Sequence, residues 1–301
     1  MKQLLLCLVK RGETPAEVLA AVRFIETHEK RYVTGVAPVL DVCGTGGDGL
    51  QTFNISTAAA FVIAGAGGYV AKHGNRAVSS RCGSSDLMEA LGIRLDAAPA
   101  KMLKALRTAG IAYLHAPFYH PLFAKAQPLR QKLGVRTLFN VLGPFLNPYR
   151  LECQMIGTPK LKNLPFFAEI LRLKKRKRAA IFHSRDGLDE ISTTSPAEIA
   201  ELRQGKVRRW TLRPGDLGFK KARLSDYAGG DKAANRKIIL AILKGRERGP
   251  ARDVVVINAA MGLYLSGIAR DLNDGVRRAE QALDQKQALH ALEKLIRISN
   301  A

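Results

Sequence analysis

Acidic residues are scarce in this chain. Its 301 residues hold 26 Asp and Glu against 48 Lys and Arg, a formal charge of +22 that asks for an anionic partner or a solvated basic surface. Cysteine is thin as well. Cys7, Cys43, Cys82 and Cys153 form no Cys-x-x-Cys pair, which argues against a zinc site and a disulfide framework and makes a reducing cytoplasm the expected compartment. Long apolar runs are missing too: Leu4 to Val9 stops at Lys10-Arg11, too short for a membrane span or an ordinary signal-peptide core, so no membrane partner is expected. The chain shows no internal repeat and no low-complexity segment.

What is present suffices for a real core, since 47% of the residues are hydrophobic. The positive excess is uneven. Residues 172–223 carry fifteen Lys/Arg against six Asp/Glu, including the run Lys174-Lys175-Arg176-Lys177-Arg178. Such a run reads as a solvated helix end and loop. Nucleic-acid contact and steering of a polyanionic substrate are the other readings.

Residues 1–10 and 15–29 are expected to be helical, with Thr14 capping, Pro15 at the first helical position and Glu17 completing a capping box. From residue 39 short β-rich runs alternate with helical ones. Strands are expected at 39–43, 69–71, 111–114, 154–156, 179–182 and 253–257. Helices are expected at 55–66, 85–91, 100–109, 164–171, 235–243 and 259–265. Another helical piece is expected at 120–133, a short strand within 206–213, and an amphipathic last helix through Leu289, Leu292, Leu295 and Ile296. The alternation predicts an α/β fold: a small helical domain plus a large α/β domain with a mainly parallel central sheet flanked by helices. The small domain is placed at 1–34, joined by about 118–140, and the large one at 35–301.

Three loops could carry chemistry. Gly44-Thr45-Gly46-Gly47-Asp48-Gly49 follows a strand and leads to Asn54-Ile55-Ser56-Thr57 at a helix start, where free amides and glycine backbones suit a phosphate. Taken alone, the glycines could equally form a tight turn and Asn54 or Ser56 a plain cap. The second loop, Lys72 to Ser80, gathers a cation, an imidazole, an amide, a guanidinium and hydroxyls after another strand, where α/β sheets bind ligands. His73 by itself reads as a turn histidine, and Arg76 as a surface charge or a partner for Asp48. Asp189-Glu190 follows the strand at 179–182. The pair could cap a helix, but opposite two phosphate loops it offers the hard oxygens that suit Mg2+ shared with substrate phosphates.

The motifs GTGGDG, TFNIST, KHGNRAVSS, GSSD, YHPLF, PLRQKLGVRTLFNVLGPFLNP and GLDEIS follow one another between residues 44 and 192, within a likeness that runs in order from about residue 4 to 297. Together they resemble the anthranilate phosphoribosyltransferases of the nucleoside-phosphorylase/phosphoribosyltransferase family. The resemblance implies transfer of the phosphoribosyl group of 5-phosphoribosyl 1-diphosphate to the amine of anthranilate, a step of tryptophan biosynthesis. It implies that Gly44, Gly47, Asp48, Thr52, Asn54, Ser56, Thr57, Lys72 and Ser84 bind the sugar diphosphate. Ser56, Asp189 and Glu190 would hold Mg2+, as two ions with the diphosphate. Asn75 and Arg130 would hold anthranilate, Arg130 through its carboxylate. The stretch Lys72, His73, Gly74, Asn75, Arg76, Ala77, Val78, Ser79, Ser80 would lie between the ligands, with Lys72, His73, Asn75 and Arg130 nearest the chemistry. A cytoplasmic homodimer through the helical domain is implied as well. Departures are Arg81-Cys82 before Gly83, the high positive charge, and a start that lies after the N-terminal helices members usually carry. A nucleic-acid-binding relative and a pyrimidine nucleoside phosphorylase are the competing readings.

Overall fold

Thr14 starts the second helix as expected: its hydroxyl accepts from the Glu17 backbone while Glu17 accepts from the Thr14 N–H. That helix, α2 (Pro15–His28), follows α1 (Lys2–Arg11), and its face of Val18, Leu19, Val22 and Ile25 is buried. The computed structural model describes residues 2–77, 80–122 and 137–301. Val78, Ser79, Arg130 and most of the helix expected at 120–133 lie outside them.

The strands are β1 (Val39–Gly44), β2 (Tyr69–Gly74), β3 (Ile111–His115), β4 (Cys153–Gly157), β5 (Arg178–Ser184), β6 (Ala197–Arg203) and β7 (Lys206–Leu212). They form a seven-stranded sheet in the order β3-β2-β1-β4-β5-β6-β7. From β3 to β5 every pairing is parallel; β6 and β7 add an antiparallel extension. After β1 the chain builds outward through β2 and β3, then returns to place β4 on the other side of β1. The junction of β1 and β4 is therefore the topological switch point, where the carboxyl ends of the strands leave a crevice.

Helices cover the sheet. α3 (Ile55–Gly65) is apolar nearly all round, with nine buried residues, because it is enclosed between the sheet and the helices Pro250–Leu265 and Gln287–Asn300. α4 (Ser84–Ala90) and α5 (Pro99–Ala109) follow β2, and Gly110 in the left-handed region turns α5 directly into β3. On the far side, Val18, Val22 and Ile25 of α2 share a cluster with Phe145, Leu164, Phe167, Ile170 and Ile181.

Three sequence expectations are corrected. Residues 253–257 are not a strand but part of the helix Pro250–Leu265. Nearly every position there is buried, so no polar face marks the helical period, and a continuous apolar run imitates a buried strand. The single short strand within 206–213 is one arm of a hairpin: β6 and β7 are joined by Gln204-Gly205, both at positive φ, the geometry that matches strand twist. The basic run 174–178 is not simply solvated. The Lys174 ammonium is buried against Glu26 of α2 at 2.7 Å and the Phe145 carbonyl at 3.0 Å. The buried Arg176 guanidinium donates to the Leu151 carbonyl at 2.9 Å and to Gln154 Oε1 at 3.2 Å. Two of the five cations thus join the helical hairpin and β4 to the body.

Candidate active site

The crevice at the switch point is built from close backbone approach. Gly44 pairs with Gly157 across β1 and β4. A Cβ on Gly44 would overlap the Asp189 carboxylate, and one on Gly157 would overlap the Asp189 carbonyl. The loop after β5 therefore lies directly over both strand ends. Gly46 and Gly47 are at positive φ, and the Gly46 N–H donates to Asp189 Oδ2 at 2.8 Å.

Glu190 reaches the next element. Its Oε1 accepts from the Ser56 N–H at the start of α3 at 3.1 Å. Lys72, buried at the end of β2, donates to Ser56 Oγ at 3.1 Å and to the Val42 carbonyl at 2.7 Å. Two strand-end loops, the strand β2 and one helix start are thus tied together by hydrogen bonds.

The electrostatics are those of a site short of cations at its centre. Burial, then the charge of Asp48, raises the Asp189 carboxyl above its ordinary range; burial, then Asp189, raises Glu190. Burial pushes the Lys72 ammonium down, opposed by Asp41 and Glu190. A divalent cation would relieve the carboxylate repulsion, and hard oxygens suit Mg2+. Among the described residues no group of three or more His, Cys, Asp and Glu side chains forms a metal cage. Such a donor set fits an ion that shares its remaining positions with substrate phosphates and water.

Residues 36–289 match the family described as "Glycosyl transferase family, a/b domain". The anthranilate phosphoribosyltransferase of Desulfatibacillum aliphaticivorans is 44% identical over 97% of this chain and 86% of its own length. That of Thermomicrobium roseum is 45% identical over 97% of this chain and 84% of its own. Among solved structures, the anthranilate phosphoribosyltransferase of Thermus thermophilus superposes with a TM-score of 0.93 at 37% identity, covering 100% of this chain and 89% of its own. The Saccharomyces cerevisiae enzyme in complex with phosphoribosyl diphosphate and Mg superposes with a TM-score of 0.89 at 28% identity, covering 98% and 83%. The chain belongs to the anthranilate phosphoribosyltransferase family.

Around this core the other residues that match the family's motifs are distributed unevenly. Asn54 is the N-cap of α3, but its side chain does not cap the helix; it donates to the Cys82 carbonyl at 3.2 Å, leaving Oδ1 buried without a partner. Thr57 is fully buried, its hydroxyl likewise unpartnered. Thr52 forms an isolated bridge with Ala228. Asp48 Oδ1 accepts from the Leu50 N–H. Asn75 is exposed, its Oδ1 accepting from the Arg76 N–H at 2.7 Å.

Arg76 points elsewhere. Its guanidinium is held by Asp86 and Glu89 of α4 at 2.9–3.1 Å, with no bond to Asp48, and the Ala77 N–H donates to Asp86. His73 is neutral: burial, then the neighbouring His120, lowers it to about 3. Its Nε2 lies 3.1 Å from His120 Nε2, and His120 pairs with Glu29. Ser80 is exposed near Cys82, and Ser84 Oγ lies 2.9 Å from the Tyr113 hydroxyl.

Several supporting residues escape a reading of strand-end loops. Asn258 clamps the backbone of Ile191, accepting from its N–H at 3.0 Å and donating to its carbonyl at 2.8 Å, which fixes the loop just after Glu190. An amide inside an otherwise apolar run was the available signal. Asn235 accepts from the Asn54 N–H in the same way. Asp41, fully buried within β1, accepts from the His73 N–H.

Proposed function

We propose that this chain transfers the phosphoribosyl group of 5-phosphoribosyl 1-diphosphate to the amine of anthranilate at the β1/β4 crevice, giving N-(5-phosphoribosyl)anthranilate and diphosphate. The observation that carries this reading is that the adjacent Asp189 and Glu190 accept from Gly46 after β1 and from Ser56 at the start of α3, with Lys72 bonded to the same Ser56. Gly44, Gly47, Asp48, Thr52, Asn54, Ser56, Thr57, Lys72 and Ser84 would form the sugar-diphosphate half-site. Ser56, Asp189 and Glu190 would hold Mg2+, which when bound neutralises the departing diphosphate. Asn75 and Arg130 would hold anthranilate, with the backbone of residues 72–80 between the two substrates.

As the C1–oxygen bond lengthens, the ribose gains oxocarbenium character, and the amine attacks from the opposite face with inversion, by analogy with glycoside cleavage. Lys72, tethered to Ser56 beside the acidic pair, places a positive charge where the leaving group gathers negative charge. An aromatic amine already holds its lone pair at neutral pH, so no strong base is needed and orientation supplies much of the rate. Neutral His73, held by His120, shapes the acceptor side.

A small domain of residues 1–34 with about 118–140, closing on 35–301, homodimerisation through it and a cytoplasmic location belong to the same proposal. Among the described residues no helix is long and apolar enough to cross a membrane. The test is the loss of anthranilate fluorescence on adding phosphoribosyl diphosphate. Dependence on both the sugar diphosphate and Mg2+ supports the reading; release of free base from nucleosides with inorganic phosphate, or nucleic-acid binding without turnover, contradicts it.

A further inference from the structure

Behind Ser84 lies a chain of polar groups that the roles above leave unused. His115 ends β3, in register with Gly74 of β2. Its Nδ1 is 2.8 Å from Ser85 Oγ, which is 2.7 Å from the Tyr113 hydroxyl, which in turn is 2.9 Å from Ser84 Oγ. Ser85 and Tyr113 are 0% and 2% exposed, so water does not compete for these bonds. Packing holds the chain in place, because a Cβ on Gly74 would overlap Ser84 Oγ and crowd the Tyr113 hydroxyl.

Each hydroxyl has one proton to give and can accept twice: a bare Nδ1 fixes all three bonds in one direction, whereas hydrogen on Nδ1 leaves one proton over, which the partly exposed Ser84 can hold without leaving a buried O–H unbonded. If His115 Nδ1 is bare, Ser85 donates to it, Tyr113 donates to Ser85, and Ser84 turns its proton inward to Tyr113. If Nδ1 carries hydrogen, His115 donates to Ser85, Ser85 to Tyr113 and Tyr113 to Ser84. Ser84 then keeps its own proton for a ligand, since its remaining internal acceptor, the Asn75 carbonyl, is a distant 3.4 Å away.

We propose that Tyr113 and His115 are positioning residues for the sugar-diphosphate half-site: the Nδ1–H form of His115, relayed through Ser85 and Tyr113, turns the Ser84 hydroxyl outward as a donor to a phosphate oxygen. This rests on the reading that Ser84 contacts 5-phosphoribosyl 1-diphosphate. Ser84 and the bound anion are then linked to a ring on the far side of a buried tyrosine. By reciprocity, anion binding favours hydrogen on His115 Nδ1, as the Nδ1–H tautomer when the ring is neutral and as the cation at lower pH.

The charged and titratable groups facing His115 are Arg76 from the loop after β2, Asp86 and Glu89 from α4, and His73 from β2. Burial and Arg76 lower the ring from its ordinary histidine value while Glu89 and Asp86 oppose them, so the cation forms at lower pH than in a free histidine.

The test compares KM for each substrate in the wild type, Ser84→Ala, Tyr113→Phe, His115→Gln and the Tyr113→Phe/His115→Gln double variant, from about pH 5.5 to 8.5 across the histidine range. Phenylalanine keeps the ring that fills the core at Tyr113. The expected result is that Tyr113→Phe raises KM for the sugar diphosphate roughly fivefold at the acid end, the worth of one hydrogen bond. KM for anthranilate should stay in place, the effect should shrink as pH rises, and the double variant should match Tyr113→Phe, because the chain is already cut.

Parallel rises in both KM values, or additive effects in the double variant, would overturn the proposal. An unaltered sugar-diphosphate KM in Ser84→Ala would overturn the half-site reading itself. A raised value there with wild-type behaviour in Tyr113→Phe would overturn the relay alone. Nitrogen-15 NMR of the six histidines gives an independent readout, with the His115 signal identified by its loss in His115→Gln. Addition of phosphoribosyl diphosphate with Mg2+ should move that signal toward the Nδ1–H form, and an unmoved signal contradicts the relay.

Discussion

The Ser56 backbone N–H donates to Glu190 Oε1 at 3.1 Å, joining the start of α3 to a loop 134 residues further along the chain. With Lys72 on Ser56 and Asp189 on Gly46, that bond ties the side of the crevice formed by the β1 loop and α3 to its acidic side.

Because Glu190 is buried, Asp189 half-buried, and the two repel, activity and stability should respond in opposite directions when their charge is removed. Asp189→Asn and Glu190→Gln should raise the Mg2+ concentration needed for half-maximal rate and lower turnover. In Mg2+-free buffer the same variants should be more stable by about 1 kcal/mol, as strained functional sites commonly are when relieved. Metal titrations of rate and thermal melts in chelator check both; variants that lose activity and stability together would contradict the prediction.

Gly44 and Gly157 sit against different parts of Asp189 and should fail differently. Gly44→Ala should fold but push the Asp189 carboxylate aside, with a loss of kcat/KM on the order of a hundredfold. At Gly157 the obstacle is the Asp189 backbone carbonyl, which cannot swing away, so Gly157→Ala should cost about 3 kcal/mol of stability. Gly143→Ala, with nothing within 4 Å of its added methyl, serves as the tolerated control. Circular dichroism melts and kinetics separate the three cases.

His73 makes a definite prediction about acid. Its folded-state pKa, lowered to about 3, lies below the ordinary histidine value, so between these limits the unfolded chain binds a proton that the folded chain refuses. The stability this contributes is complete above the unfolded histidine pKa and is lost as pH falls toward 3, at a slope of up to about 1.4 kcal/mol per pH unit. Urea denaturation of the wild type and His73→Gln across that range should show a shallower acid limb in the variant.

Lys174 and Lys175 are adjacent but should behave as opposites. Removing the buried Lys174 ammonium leaves Glu26 with Arg31 alone and takes the donor from the Phe145 carbonyl, so Lys174→Ala should cost about 2 kcal/mol. Lys175→Ala, on an exposed turn residue, should change little. Equal denaturation midpoints for the two variants would contradict the assignment.

Much of this was legible in the sequence for physical reasons. Thr14, Pro15 and Glu17 satisfy helix-start amides with residues three apart, so local spacing revealed α2. Gly44 to Asp48 and Lys72 to Ser80 each follow an apolar run, which marked two strand ends, although β2 continues through Gly74 and takes Lys72 and His73 into the sheet. The strand expected at 253–257 failed because a helix buried on all sides has no polar stripe. Lys174 and Arg176 misled because burial of a cation depends on carbonyls and carboxylates distant in sequence, here Phe145, Leu151 and Glu26. Asn258 and Tyr113 act on the site through neighbours, and only their hydrogen bonds reveal it.

The central claim is that the acidic pair at the β1/β4 switch point holds a metal-bearing diphosphate. Electron paramagnetic resonance of Mn2+ in place of Mg2+ reads this directly, by titration with and without phosphoribosyl diphosphate in the wild type and in Glu190→Gln. Tight Mn2+ binding that requires the sugar diphosphate and is weakened in Glu190→Gln is the predicted result. Binding of equal strength in both proteins would contradict it.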